Sequence, residues 1–251
     1  MNTTSQIPWL PKLNSDPSAI LCLFCFPYAG GSSYIYDRWS DYLPDTVEVC
    51  PVELPGRRKR FIEAPYQNLD SLLLDLSAAL LPNLDKPFAF FGHSMGGLVS
   101  FELTRLLRQK YKISPVHLFI SACRATQLAK SKPDIHHLED KAFTQEIIRL
   151  GGTPQAILDD KEMMELILPT LKADFKAIET HVYLPQPALN IPITVFGGDR
   201  DTEVTSAELA AWEEQTTANF ELKMFSGGHF FIDSEQSLIS NSISKALELY
   251  V

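Results

Sequence analysis

The sequence predicts an α/β fold, a mostly parallel central sheet flanked by helices and interrupted by one helical insertion. Three observations lead there. Short apolar runs alternate with helix-period segments over most of the 251 residues, and such alternation calls for parallel strands joined by crossovers, with helices on both faces of the sheet. The alternation breaks between Cys123 and Asn190, where only helical periodicity is found. A serine, an aspartate and a histidine each stand just past the carboxyl end of an expected strand, and in a parallel sheet all such ends lie on one edge.

In chain order, strands are expected near residues 19–26, 47–52, 88–91, 116–121, 193–196 and 221–225, and helices near 34–42, 69–81, 97–111, 207–215 and 235–249. The insertion reads as a helix over 139–150, stopped by Gly151-Gly152, and a longer one over 160–182 that contains Pro169. The whole chain, 1–251, is read as one domain with 124–190 as a helical lid, because an insertion that leaves and re-enters beside the functional edge is where a lid belongs. One stripe of the longer helix carries Met164, Ile167, Leu168, Leu171, Phe175, Ile178 and Val182, with Met163 adjoining. Core packing is one reading of that stripe. The other is that part of it, Met163 and Met164 especially, lines a substrate pocket.

Composition narrows the class. A 45% apolar and 21% charged content is that of an ordinary folded domain. A net charge of −9 argues against nucleic acid, whose phosphates need a basic surface. The first 18 residues are mostly polar, hold Pro8, Pro11 and Pro17, and lack a basic start followed by an apolar core. The longest apolar run, 19–26, is far too short to span a bilayer, so no membrane is expected and the location is cytoplasmic. Cys22, Cys25, Cys50 and Cys123 fit a reducing compartment as small buried residues. Cys22 and Cys25 point to opposite faces of their strand, and no cluster has zinc-site spacing.

The chemistry is concentrated at Gly92-His-Ser-Met-Gly96, between the apolar run Phe88-Ala-Phe-Phe91 and a helix-period segment. A serine on a sharp strand-to-helix turn takes up strained backbone angles, and glycines two residues either side let strand and helix approach. Ser94 is the expected nucleophile. Hydrolases of the α/β type order their triad as serine, acid, histidine. Here Gly197-Gly-Asp-Arg-Asp201 and then Ser226-Gly-Gly-His229 follow in that order. His229 is the expected base. Both Asp199 and Asp201 lie in the acid loop, and the G-x-x-D-x-x-V spacing counted from Gly198 favours Asp201. Met95, the residue after the nucleophile, offers one oxyanion amide at a helix N-terminus, and the loop Phe26-Pro-Tyr-Ala-Gly-Gly31 should offer the second. The basic run Arg57-Arg-Lys-Arg60 is either a solvated loop or part of a docking surface, with Arg57 and Arg58 as substrate-side contacts.

Phe26-Pro-Tyr-Ala-Gly-Gly-Ser32, Leu54-Pro-Gly-Arg57, Gly92-His-Ser-Met-Gly96, Leu150-Gly-Gly-Thr-Pro154, Leu168-Pro-Thr-Leu-Lys-Ala-Asp174 and Gly227-Gly-His-Phe-Phe231 together resemble the type II thioesterases that accompany nonribosomal peptide and polyketide synthetases. The resemblance spans nearly the whole chain. It implies an α/β-hydrolase fold and a freestanding enzyme, a monomer, that clears misprimed or stalled acyl groups from the phosphopantetheine arm of acyl or peptidyl carrier proteins. It further implies Ser94, Asp201 and His229 as the triad and Ala29 and Met95 as oxyanion donors. No metal or diffusible cofactor is expected, since phosphopantetheine arrives on the substrate. Two positions depart from the family pattern: Lys172 where arginine is common, and Cys123 near a frequent glycine. A medium-chain fatty acyl thioesterase, a small-ester hydrolase and a noncatalytic carrier-binding scaffold are the rival readings.

Overall fold

Six strands and eight α-helices follow one another along the described residues, 8–13 and 18–251, of the computed structural model. They are β1 (Leu21–Phe26), β2 (Val47–Pro51), α1 (Leu69–Leu80), β3 (Phe88–His93), α2 (Met95–Tyr111), β4 (His117–Ser121), α3 (Asp140–Leu150), α4 (Gln155–Leu158), α5 (Lys161–Glu179), β5 (Ile193–Gly198), α6 (Ser206–Ala210), β6 (Phe220–Phe225), α7 (Phe231–Ser234) and α8 (Gln236–Leu247). The sheet order is β2-β1-β3-β4-β5-β6, with all five pairings parallel. Most of the stretch before residue 18 that was read for a targeting segment lies outside the described residues. Among the described residues no helix is long and apolar enough to cross a membrane.

Both faces of the sheet are covered, so its central strands are apolar without alternation. Residues of opposite parity feed two cores. Phe24, Phe90, Ile120 and Val195 pack on one face against α1, α2 and Trp212, while Leu23, Phe91, Phe119 and Phe196 pack on the other against Tyr36, Trp39 and α8. Cys22 belongs to the first core and Cys25 to the second, as the two-residue period of a strand requires. Each fully buried Phe contributes about 1.5–3 kcal/mol by its burial.

Local signals fix the helix ends. Asn68 accepts from the Ser71 amide at 2.9 Å to start α1, Thr205 and Glu208 form a reciprocal cap on α6, and α3 stops at Gly151, whose φ is +79°. The expected helix over 34–42 is instead two 3₁₀ turns, Ser33–Tyr36 and Trp39–Tyr42. The reason is in the burial pattern. Ser33, Tyr36 and Trp39 are buried at strict three-residue spacing, the period of a 3₁₀ turn. Pro169 sits inside α5 on its exposed side, where losing one helical hydrogen bond is tolerated because water can reach the backbone.

The helical insertion enters after Ser121 and leaves before Ile193, both on strands near the middle of the sheet. Its helices α3 and α5 bury Phe143, Ile147 and Leu171 in a small third core of their own. Lys172 holds this piece together from within, its Nζ donating to Leu138 O at 2.8 Å and to Asp140 at 2.5 Å. A point charge suffices there, so the arginine-to-lysine departure leaves the contact intact. The Cys123 departure is matched by its neighbour: a Cβ on Gly97 would stand 2.7 Å from Cys123 Cβ.

Candidate active site

Ser94 links β3 to α2 with φ 52° and ψ −114°, a conformation that costs a non-glycine residue about 1–3 kcal/mol. Packing enforces it. The Ser94 amide donates to Ser121 O at 2.7 Å. A Cβ on Gly92 would stand 2.0 Å from Gly96 O, and one on Gly96 would stand 2.1 Å from Phe26 O. Neither site has room for any side chain.

His229 follows β6, and its Nε2 lies 3.1 Å from Ser94 Oγ while its Nδ1 lies 2.9 Å from Asp201 Oδ2. The Asp201 side chain is fully buried. Its other oxygen accepts from the amides of Glu203 at 2.7 Å and Val204 at 3.2 Å, so the carboxylate is locked as an acceptor toward the imidazole. Asp199 does something else: it accepts from the Gly227 amide at 2.8 Å and pairs loosely with Arg200 at the surface. The geometry therefore joins Asp201, not Asp199, to His229.

A cavity of about 740 Å³ opens over Ser94 and is lined by Tyr28, Ala29, Met95, Leu128, Phe175 and Phe230 among others. Met95 is the first residue of α2, so its N–H has no intrahelical acceptor. Ala29 lies in the turn Tyr28-Ala-Gly-Gly31, where the Gly31 amide donates to Tyr28 O at 2.8 Å and the Gly30 amide to Asp174 Oδ2 at 2.8 Å. No acceptor holds the Ala29 amide among the described residues.

Cys123 also lines the cavity. It is half-buried, and the burial of its thiol pushes it up to about 12, which keeps it protonated at neutral pH. His93, next to Ser94, is fully buried and is held well below its ordinary range by that burial, then by the neighbouring His229. It is a neutral packing group that bonds Ser121 Oγ at 2.9 Å.

A strand-end serine, a buried acid and an imidazole between them on one edge of a parallel sheet admit acyl transfer. Comparison with known proteins decides the kind. The thioesterase domain model matches residues 22–246. The chain belongs to the thioesterase family. It is 42% identical to the gramicidin S biosynthesis protein GrsT of Aneurinibacillus migulanus over 99% of this chain and 98% of that one. It is 33% identical to the medium-chain S-acyl fatty acid synthase thioesterase of Rattus norvegicus over 94% and 92%. The solved type II thioesterase BorB of the borrelidin biosynthetic cluster superposes with a TM-score of 0.84 at 35% identity, over 92% of this chain and 94% of that one. The thioesterase is thus a thioester hydrolase with an α/β-hydrolase fold.

Two sequence expectations need correction in this thioesterase. Met163 and Met164 do not line the cavity: Met163 is exposed and Met164 is buried. At about 1.5 Å per residue, α5 carries Met164 roughly 10 Å from Leu171, and it is Leu171, Phe175, Ile178 and Val182 of the same stripe that reach the cavity. Secondly, the basic run divides. Arg57 and Arg60 are buried, Arg57 against Asp174 and Arg60 against Glu63, the Glu53 carbonyl and the Trp9 ring. Arg58 and Lys59 face outward. The turn Arg58–Arg60 is 3₁₀, so positions 57 and 60 fall on one side. Cys22 and Cys50 are buried in the first core, as expected, and parallel pairing of β1 with β2 brings one side-chain atom each of Cys22, Glu48 and Cys50 within 4.8 Å of one another near the edge of the sheet. Sequence reading also passed over Asp174, noted only inside a motif, although it reaches the turn that holds Ala29.

Proposed function

We propose that this thioesterase hydrolyses acyl groups from the phosphopantetheine arm of acyl or peptidyl carrier proteins, clearing misprimed or stalled chains from synthetase modules. The observation that carries the reading is the unbroken relay Asp201–His229–Ser94, at 2.9 and 3.1 Å, opening into a large, largely apolar cavity. His229 Nε2 takes the Ser94 proton as Oγ attacks the thioester carbonyl, and Asp201 holds the imidazole tautomer that makes this possible. The Ala29 and Met95 amides meet the tetrahedral oxyanion, each worth about 2.7–4 kcal/mol at the transition state. A thiol leaving group ionises near pH 8.5, to judge from cysteine, so its departure needs little help. His229 is then needed most when water attacks the acyl-serine. No step calls for a metal or a diffusible cofactor.

The helical insertion, residues 124–190, acts as the lid in this reading. Arg58, which also reaches Glu53 at 3.7 Å and lies over the Tyr34 ring, and Lys59 face outward beyond β2 near the exposed Phe61 and Ile62 and give a cationic patch. On a chain of net charge −9 such a patch reverses the local field for an acidic partner. The likeness to the rat fatty acid synthase thioesterase favours a second reading, release of medium-chain fatty acyl groups. One experiment separates them: short, aminoacyl and medium-chain acyl groups are each offered on a carrier protein and on a truncated pantetheine. The editing reading expects broad acyl tolerance with kcat/KM far higher on the carrier. A sharp optimum at medium chain length favours the second reading, and equal rates with and without the carrier contradict both in favour of a small-ester hydrolase.

A further inference from the structure

Arg57 and Asp174 form a buried ion pair beside the turn that carries Ala29, each side chain under a tenth exposed. Asp174 projects from the middle of α5. Its Oδ2 accepts both from Arg57 Nη2 and, at 2.8 Å, from the Gly30 amide. Arg57 is fixed in turn by donating to Pro55 O at 2.9 Å. Two neighbouring contacts seat the same stretch of helix: Thr170 Oγ1 donates to Gly56 O at 3.0 Å, and Leu171 covers Gly30 so closely that a Cβ there would stand 2.4 Å from it.

The bond to Gly30 has a consequence for Ala29. Tyr28 to Gly31 form a β-turn, closed by the Gly31 amide on Tyr28 O, with φ +74° at Gly30 and no positive φ at Ala29. That is the type II turn. Because the Tyr28–Ala29 peptide is trans and planar, its N–H points opposite to its carbonyl. With the carbonyl turned into the β-turn, the Ala29 N–H is turned out of it. What distinguishes type II from type I is the orientation of the central peptide, Ala29–Gly30, and the Gly30 N–H of that peptide is the group Asp174 holds.

We infer that Asp174, braced by Arg57, is a positioning residue for acyl transfer: α5 holds the turn that presents the Ala29 amide to the oxyanion, so the oxyanion hole is preorganised by the helical insertion. The inference rests on the acyl-transfer reading of Ser94 and on Ala29 as a donor. An oxyanion hole acts through preorganisation, and loss of a donor outright costs about 10²–10³ in kcat. A donor left in place on a loosened turn should cost less, about 10- to 100-fold.

Removing Asp174 alone would strand the buried Arg57 charge and risk the fold, so the test compares two double variants in which that charge is gone. R57M/D174N keeps a side-chain oxygen that can accept from Gly30; R57M/D174L does not. Both are assayed on a short acyl thioester lacking the carrier, with active sites counted by phosphonate labelling of Ser94 and with thermal midpoints measured. The expected result is a kcat per active site at least about tenfold lower for the leucine variant than for the asparagine variant, with KM little changed. Affinity for a boronic acid that mimics the tetrahedral adduct should fall by the same factor. Equal kcat values in the two variants, or a difference confined to KM or to the thermal midpoint, would overturn the inference. If either double variant fails to fold, D174E in the wild-type background takes its place: it keeps the charge for Arg57 but displaces the carboxylate from Gly30, and unchanged kcat and boronate affinity would overturn the inference equally. Absence of thioester turnover in the wild-type enzyme would instead refute the acyl-transfer reading.

Discussion

The catalytic edge of the sheet and the helical insertion that covers it are built on different terms. On the edge, Ser94 and Asp201 are placed by backbone contacts. Ser94 is strained between two glycines that admit no side chain, and Asp201 is held by two amides of its own loop. The insertion has a small core of its own and joins the edge through separate pins: Asp174 to Arg57 and Gly30, Thr170 to Gly56, Arg149 to Glu203. Large apolar residues, among them Ile148, Leu166 and Val182, stay exposed on it. A rigid edge fixes the reaction, whereas a pinned cover can change its lining without disturbing the chemistry. Substitutions on the edge should therefore act on kcat and those on the cover on selectivity, except at the pins.

The largest effect expected from that contrast is at the acid. Asp201→Asn leaves the shape of the relay but disturbs the imidazole tautomer, and kcat should fall by up to about 10⁴-fold as in serine proteases. Asp199→Asn, only two residues away, should change kcat less than about threefold, since Asp199 meets Gly227 and Arg200 and not His229. Steady-state rates of the two variants on one thioester check this. The reverse ranking would move the acid role to Asp199 and break the account of the edge.

A smaller effect is expected at the exposed half of the basic run. Replacing Arg58 and Lys59 by glutamate should lower kcat/KM on an acyl-carrier protein by about tenfold and flatten its dependence on ionic strength. Turnover of a carrier-free thioester should stay within about twofold. Arg57 and Arg60 do not belong in this test, because both are buried. Equal losses on the two substrates would show that the loop supports the edge itself.

The difference between the two halves of that run shows what was legible in the sequence. Strand ends were legible, because apolar runs followed by Gly-x-Ser-x-Gly or Gly-Gly-His announce both the strand and the turn that leaves it. Ser94 and His229 follow from local pattern, whereas Asp201 shares its loop with Asp199 and is singled out by its contact with His229. The inward turn of Arg57 and Arg60 was not legible: a four-residue charge run looks solvated, and only the 3₁₀ turn and the carboxylates supplied by Asp174 and Glu63 make burial favourable. Asp174 lies 117 residues from Arg57, so nothing local marks it as a partner. The same holds for Cys22 and Cys50, which meet only through strand register. For Met163 and Met164 the helical period was right, but period says nothing of how far along α5 the cavity extends.

The smallest effect concerns a pin of the cover and is read by pH. Burial opposes the charge of Glu203, yet hydrogen bonds from Arg149 and Lys132 overcome it and hold the carboxyl down at about 2. A group depressed in the folded state adds stability above its unfolded value, near 4.3, and loses it as pH falls toward the folded one. The thermal midpoint should therefore drop between about pH 4.5 and 2 with a contribution that Glu203→Gln removes. A wild-type acid profile identical to that of Glu203→Gln would show that this pin contributes nothing to the fold.

The most direct test of the central claim, that Ser94 on the sheet edge carries the acyl group during thioester hydrolysis, is to catch the intermediate. The enzyme is mixed with an acyl-carrier protein, quenched in acid within milliseconds to seconds, digested and mapped by mass. The account predicts one acyl adduct, on the peptide containing Ser94, that forms and decays at rates compatible with kcat and is absent from Ser94→Ala. An adduct on another residue such as Cys123, or turnover near the wild-type rate in Ser94→Ala, would contradict it.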